Sequence, residues 1–371
     1  MILFATAACA AHAVPSAGDA VSPALQASSA SASSLPDDST SILKKLTKDV
    51  VIGSTVDSGN GDEGPRALTI VSKKSRGVLT KGQLVFCNFE DSSGNAGAGT
   101  TIEALNPKPN SKPVRFFQSD SIKGCDGAAI NPQDGVVYGA GLNSGKIVVI
   151  SKSGKEEKTY SGKYVTDPFW DVATRPKQSF SPIYVFAGTT ASGGILRIST
   201  GFYGNGLATE VAKGFGVSGG SQGELAPSGL SYNQGLDTLY IVDGVTNTLV
   251  AFSNASKLLD KDEIIVESGG KTFKCKYPKT ACASLVYSGS PLDAPVAATL
   301  LPNGNLIVAN TQGTANTLVE LTPKGKVLDT KVVDQSSTQG VFGLVARGTN
   351  DATTVLFYTD ANSNTLHELE Q

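Results

Sequence analysis

Histidine is nearly absent from this 371-residue chain: His12 and His367 are the only two, beside a single tryptophan and a single methionine. A zinc centre built on several imidazoles is therefore excluded. A mechanism with histidine as general base has to use His367, because His12 falls in an N-terminal leader. By strand alternation His367 shares a face with Thr365 and Leu369 and reads as a partly exposed strand residue. No apolar run is long enough to cross a bilayer as a helix. Long amphipathic helices are missing too; the best candidate, 255–262, makes one or two turns. Charge is sparse and balanced, with 31 basic and 33 acidic residues and a formal net charge of −2. Without a basic stripe interleaved with aromatics, nucleic acid is not an expected partner.

Present in abundance are glycine, 41 residues, and a repeated phrase. Leu236-Asp-Thr-Leu-Tyr-Ile-Val-Asp243, a polar turn and Asn247-Thr-Leu-Val-Ala-Phe252 return as Asn305–Asn310 with Asn316–Leu321, and as Val355–Asp360 with Asn364–Leu369. Weaker copies stand at Gln83–Asn88 with Thr100–Leu105, at Gly135–Gly139 with Gly145–Ile150, and at Pro182–Phe186 with Gly194–Ile198. Six strand-turn-strand copies at steps of roughly 45 to 70 residues match the spacing of four-stranded propeller blades. An all-β fold follows: a six-bladed β-propeller of four-stranded antiparallel blades. A small-residue strand preceding most copies, such as Pro227–Tyr232 or Pro295–Leu300, lines the central channel. The last copy lacks an outer strand, and Asp49–Val56 supplies it, closing the ring with N-terminal residues. The recurring Asn88, Asp243, Asn310 and Asp360 read as turn chemistry repeated with the blade.

Residues 1–13 are short and apolar and end in Ala11-His12-Ala13, a signal-peptide pattern without a basic n-region. Residues 14–44 form an Ala/Ser/Pro-rich leader expected to be disordered, and 45–371 the propeller, with an insertion at 253–293. Lipid attachment at Cys9 is the weaker alternative to secretion or periplasmic export. The other four cysteines suit an oxidising compartment. Cys275 and Cys282 flank Lys-Tyr-Pro-Lys and can clip a hairpin within the insertion. Cys87 and Cys125 fall at strand ends that can lie on the same face of a propeller, so a pair is feasible, although four cysteines allow three connectivities.

Tyr240-Ile-Val-Asp-Gly-Val-Thr-Asn-Thr-Leu-Val-Ala-Phe252 is similar to the strand-turn-strand signature of NHL-type propellers. Over about 65–369 the chain resembles the senescence-marker/gluconolactonase superfamily. The resemblance implies a divalent cation such as calcium at the channel mouth. Its ligands would be Glu63 of Glu63-Gly-Pro65, Asp126 in the place of a usual Asn, and Ser228 replacing the Asn of Pro-Asn-Gly-Leu. Val296 stands where the family's Asp is expected, and an aliphatic side chain cannot ligate metal. Related propellers in quinone-dependent sugar dehydrogenases and streptogramin lyases rely on a histidine base that this chain does not place well. The polar loop Asp57–Glu63 lacks EF-hand spacing.

Blade by blade, the mouth residues are Arg66, Asp126, Trp170, Ser228, Val296 and Phe342. The aromatic pair would stack on a sugar or other flat ligand, or plug the channel. The expected function is therefore an exported, monomeric binding or interaction propeller for a protein, small-molecule or carbohydrate partner, with no cofactor and no catalytic machinery. The alternative is a metal-dependent lactonase-type hydrolase using Glu63, Asp126 and Ser228.

Overall fold

The computed structural model describes residues 40–72, 77–161, 169–175, 181–201, 204–218 and 225–371, the side chains of 169–171 excepted. The expected signal peptide, Cys9 and most of the leader lie outside these residues. Six sheets, each built on four antiparallel strands, follow one another around a channel. Their inner strands are Glu63–Ile70, Cys125–Ile130, Phe169–Arg175, Pro227–Asn233, Pro295–Leu300 and Leu344–Arg347, in blades 1 to 6. Strand Lys48–Ser54 pairs antiparallel with Thr365–Glu370, so the first strand of the chain is the outer strand of the last blade. Ring closure by N-terminal residues is thus observed, one residue earlier than the sequence suggested.

The repeat has a physical cause at its turns. Asn247 and Asn364, each at φ 52°, and Gly145 and Gly193, at φ 59° and 60°, fill the same left-handed position before the third strand. Only glycine and, among the rest, asparagine take that conformation cheaply. The asparagines do a second thing. The side-chain oxygens of Asn247, Asn316 and Asn364 accept the backbone N–H of Ala294, Gly340 and Gly64 at 2.8, 3.0 and 2.8 Å. Each acceptor lies in one blade and each donor at the entrance to the next, so the repeated residue stitches blades 4 to 5, 5 to 6 and 6 to 1.

Where the phrase is weak, a disulfide replaces the stitch. Cys87–Cys125 joins the second strand of blade 1 to the inner strand of blade 2. Cys275–Cys282 joins the sheet of blade 3 to the outer strand of blade 4. The second pairing corrects the idea of one clipped hairpin inside an insertion. Ile264–Glu267 and Thr272–Cys275 form a hairpin of their own, added to blade 3 through parallel pairing of Ala212 with Ile264, which makes a six-stranded sheet. Burial of Ile264 and Val266 against Val211, Phe252 and Leu258 holds it there. Residues 282–288 are the outer strand of blade 4, so 253–293 serves two blades and not one excursion.

The leader boundary also shifts. Ile42, Leu43 and Leu46 are fully buried against blades 5 and 6. The buried carboxylate of Glu320 accepts from Ser41 Oγ and Leu43 N, both at 2.8 Å. Residues 41–44, assigned to a disordered leader, belong to the packed ring because three aliphatic side chains in six positions find a core there.

Inner strands touch at one level. A Cβ on Gly229, at φ +52°, would lie 2.5 Å from Val242 Cγ2 and 2.7 Å from Ala297 Cα. On Gly343 it would lie 2.7 Å from the Ala67 carbonyl carbon. Gly229→Ala is expected to cost about 3 kcal/mol, from left-handed strain and overpacking together. Urea unfolding should show the midpoint falling with an unchanged slope.

Candidate functional site

At or near the ends of the second strands of blades 1 to 5 stand Asn88, Gly141, Thr189, Asp243 and Asn310, and their partners are Pro65, Cys125, Phe169, Pro227 and Pro295. Arg66, Asp126, Trp170, Ser228 and Val296 each come next in the chain, at a register shift present in all five inner strands. Phe342 precedes the inner strand of blade 6 by two residues, matching Ser228 before Leu230. The six expected mouth residues thus occupy one level of the ring. Bulges at that level turn side chains that would otherwise alternate between the faces of a blade.

Arg66 is the centre of what assembles there. One guanidinium nitrogen lies 3.2 Å from Asp126 Oδ1, with the two side chains 13% and 1% exposed. The guanidinium carbon sits 3.6 Å from the ring centre of Phe89 and 4.2 Å from that of Phe342. A flat cation between two aromatic faces over a buried carboxylate is electrostatically satisfied on three sides. Residues of blades 1, 2 and 6 meet in this clasp. Burial pushes the Asp126 carboxyl up to about 7, against the opposing pull of Arg66. Its Oδ2 has no hydrogen-bond partner, and neither has the fully buried Ser228 Oγ. The Trp170 side chain lies outside the described residues.

The Cys87–Cys125 bridge runs directly beneath. Arg66 is the strand partner of Cys87, and Asp126 follows Cys125, so one covalent link fixes the backbones that carry both charges. Below the mouth, a cavity of about 170 Å³ is lined by all six inner strands, with Thr69, Ser231 and Thr299 hydroxyls among alanines.

The three carboxylate or hydroxyl ligands of a lactonase-type cation are not brought together as a donor set. Glu63 Oε2 accepts from Asn364 Nδ2 at 3.0 Å, and the residue pairs across the strands with Glu90. Asp126 already faces a cation, Arg66. Val296 is buried and aliphatic. Among the described residues no three His, Cys, Asp or Glu side chains are arranged to hold a metal. The residues present do not fit a hard divalent ion, which needs six or more oxygens.

The Asp57–Glu63 loop faces inward for a different reason. Asp57 accepts from Gly59 N and Asn60 N at 2.6 and 2.8 Å and pairs with Arg115. Burial pushes Asp57 up, but hydrogen bonds from Arg115 and the loop backbone outweigh it and hold the carboxyl well below the usual range. Asp62 takes Thr100 N and Oγ1 at 2.7 and 3.0 Å. Glu103, fully buried, is pushed up to about 9, first by burial and then by the neighbouring Asp57. A raised folded-state pKa gives stability that is complete below about 4.5 and lost as pH rises through about 9. Glu103→Gln is close in size and cannot ionise. Its melting temperature is expected to fall less than that of the parent between about pH 6 and about pH 9, measured by thermal unfolding across that window.

His367 is not at the mouth. Its Nδ1 lies 3.0 Å from Asp49 Oδ1 and 3.0 Å from Tyr358 Oη, and its Nε2 lies 2.8 Å from Thr365 Oγ1. Asp49 is on the closing strand, so the one histidine of the ring clasps the two chain ends of blade 6 together. Of the recurring residues, Asp243 and Asp360 serve their own turns as expected, accepting from Val245 N and Asn362 N, both at 2.9 Å. Asn88 and Asn310 do not: Asn88 Nδ2 donates to Thr55 O at 3.1 Å and Asn310 Nδ2 to Pro291 O at 2.7 Å. Asp243 and Asn310 also accept from neighbouring segments, since Asp243 Oδ2 takes Gly216 N at 2.7 Å and Asn310 Oδ1 takes Asp293 N at 3.0 Å.

Phe89 is the mouth residue that sequence reasoning missed. Its position follows the recurring Asn or Asp, where blades 4, 5 and 6 carry Gly244, Thr311 and Ala361. An aromatic at a small-residue position was the available signal.

No protein-family model matches the chain, and no curated protein does. Among solved structures, a gluconolactonase from Xanthomonas campestris aligns at TM-score 0.55 and 10% identity, over 87% of this chain and 97% of that one. A putative gluconolactonase aligns at TM-score 0.53 and 12% identity, over 85% and 94%. The nidogen/laminin complex gives TM-score 0.53 and 13% identity, over 77% and 85%. At these identities the likeness shows the six-bladed fold and nothing of the chemistry.

Proposed function

We propose that this chain is an exported β-propeller that binds a small ligand or a protein partner at its channel mouth and performs no chemistry of its own. The observation that carries this reading is the Arg66–Asp126 pair between Phe89 and Phe342. A cation from the chain itself stands where a lactonase-type enzyme would need open metal ligands. Two disulfides, and no described helix long and apolar enough to cross a membrane, fit a protein folded in an oxidising compartment. Structural neighbours include both gluconolactonases and nidogen, and the donor set at this mouth favours the binding side. Purified protein incubated with a panel of aldonolactones and calcium is expected to hydrolyse none of them above the buffer rate. Turnover lost on Asp126→Asn would overturn the reading.

A further inference from the structure

Asp126 has capacity that its present partner does not use. The residue is 3% exposed, yet only Oδ1 accepts a hydrogen bond, from Arg66 at 3.2 Å, and Oδ2 has none. Guanidinium and carboxylate pair best through two parallel N–H bonds of roughly 2.7–2.9 Å. Arg66 reaches one oxygen at longer range because it is tethered. Its backbone enters the bulge through Ala67, held at φ 48°, which fixes where the side chain starts.

The other walls are those a flat cation requires. Phe89 is fully buried, while Phe342 is half-buried, and both present ring faces to the guanidinium. Arg66 itself is 13% exposed, so solvent reaches it from the mouth. The cavity below, lined by Ala67, Phe342 and Gly343 among others, has room for a displaced side chain.

We propose that the channel mouth is a receptor for a guanidinium group supplied from outside the chain, and that Arg66 is the place-holder occupying it in the free protein. This rests on the mouth being a binding site and names the ligand class: a guanidino compound or the arginine side chain of a partner. An untethered guanidinium stacks between the two phenyl rings and bonds both Asp126 oxygens, while Arg66 swings aside. Recognition involves no covalent step.

Emptying the receptor tests it. Thermal unfolding of full-length Arg66→Ala is followed with millimolar methylguanidinium chloride, against sodium chloride at matched ionic strength. A saturable rise of about 2–4 °C is expected, with a smaller rise in the parent, where Arg66 competes. The Arg66→Ala/Asp126→Asn double variant should show none. N-acetylarginine amide separates the two sources: a matching rise points to an arginine side chain, and a rise with methylguanidinium alone to a free guanidino compound. If Arg66→Ala does not fold, Arg66→Met retains the aliphatic stem and is titrated in its place. Absence of a saturable rise in both Arg66 variants, or an equal rise in the double variant, overturns the proposal. Lactone turnover, by contrast, would defeat the binding-module reading and would not register in this titration.

Discussion

Replacing Cys87 and Cys125 together by alanine should destabilise the ring by about 4 kcal/mol. The bridge spans a sequence separation of 38, and chain entropy released on opening a loop of that size accounts for the figure. Both cysteines are fully buried, so the alanines also leave space where two sulfurs packed. A structural consequence accompanies the energetic one. Because Arg66 is paired with Cys87 and Asp126 follows Cys125, the double variant should loosen the mouth clasp as well as the seam between blades 1 and 2. Equilibrium unfolding in urea reads the first. Amide exchange at 124–128 reads the second, with protection falling there more than at 294–298, where the seam between blades 4 and 5 is held by Asn247. Alanines at Cys275 and Cys282 should cost less, since that bridge closes a separation of only 7 and its cysteines are half-buried.

Arg66→Ala is expected to cost about 3 kcal/mol near neutral pH, with a dependence on pH that identifies the cause. Removing one partner of a buried pair strands the other, and the loss exceeds the net worth of the pair. Asp126, already pushed up to about 7 by burial, loses the only group that held it down and keeps its proton to higher pH. For a raised carboxyl, stability is fully present below the ordinary value near 3.8 and lost as pH rises through the folded-state value. In the parent that loss is spent by about 7; in Arg66→Ala it continues above it. The deficit of the variant relative to the parent should therefore be larger at about pH 8 than at about pH 5. Asp126→Asn, which cannot ionise, should remove that difference. Denaturant unfolding of the three proteins at both pH values checks the sign.

Fold and site differed in how openly the sequence displayed them. The blades were legible because each is the same solution written six times: apolar strand, left-handed Asn or Gly, apolar strand. Even ring closure followed, because a terminal copy without an outer strand implies a donor elsewhere. What the repeat did not disclose was its stitching. Asn247 and Asn364 recur for a backbone conformation, and that reason alone would account for them; their bond to the next blade shows only when strands are placed side by side. The 253–293 segment misled because a cystine eight positions wide suggests a hairpin, while the strands it joins lie in different sheets.

At the mouth, blade alignment placed all six residues at one level, yet alignment treats them as separate members of a ring. Charge and shape couple them: Arg66 crosses to blade 2 for Asp126 and to blade 6 for Phe342. Resemblance to lactonases drew attention to oxygens and away from the cation beside them. The arginine paired with Asp126, one of those carboxylates, is the feature that changes what the site can hold.

Metal analysis of the purified, dialysed protein tests that conclusion most directly. With Arg66 seated on Asp126 and Glu63 bonded to Asn364, the expected content is no stoichiometric divalent cation, in the parent and in Arg66→Ala alike. One calcium or other divalent ion per chain that survives dialysis and disappears in Glu63→Ala or Asp126→Asn would contradict it.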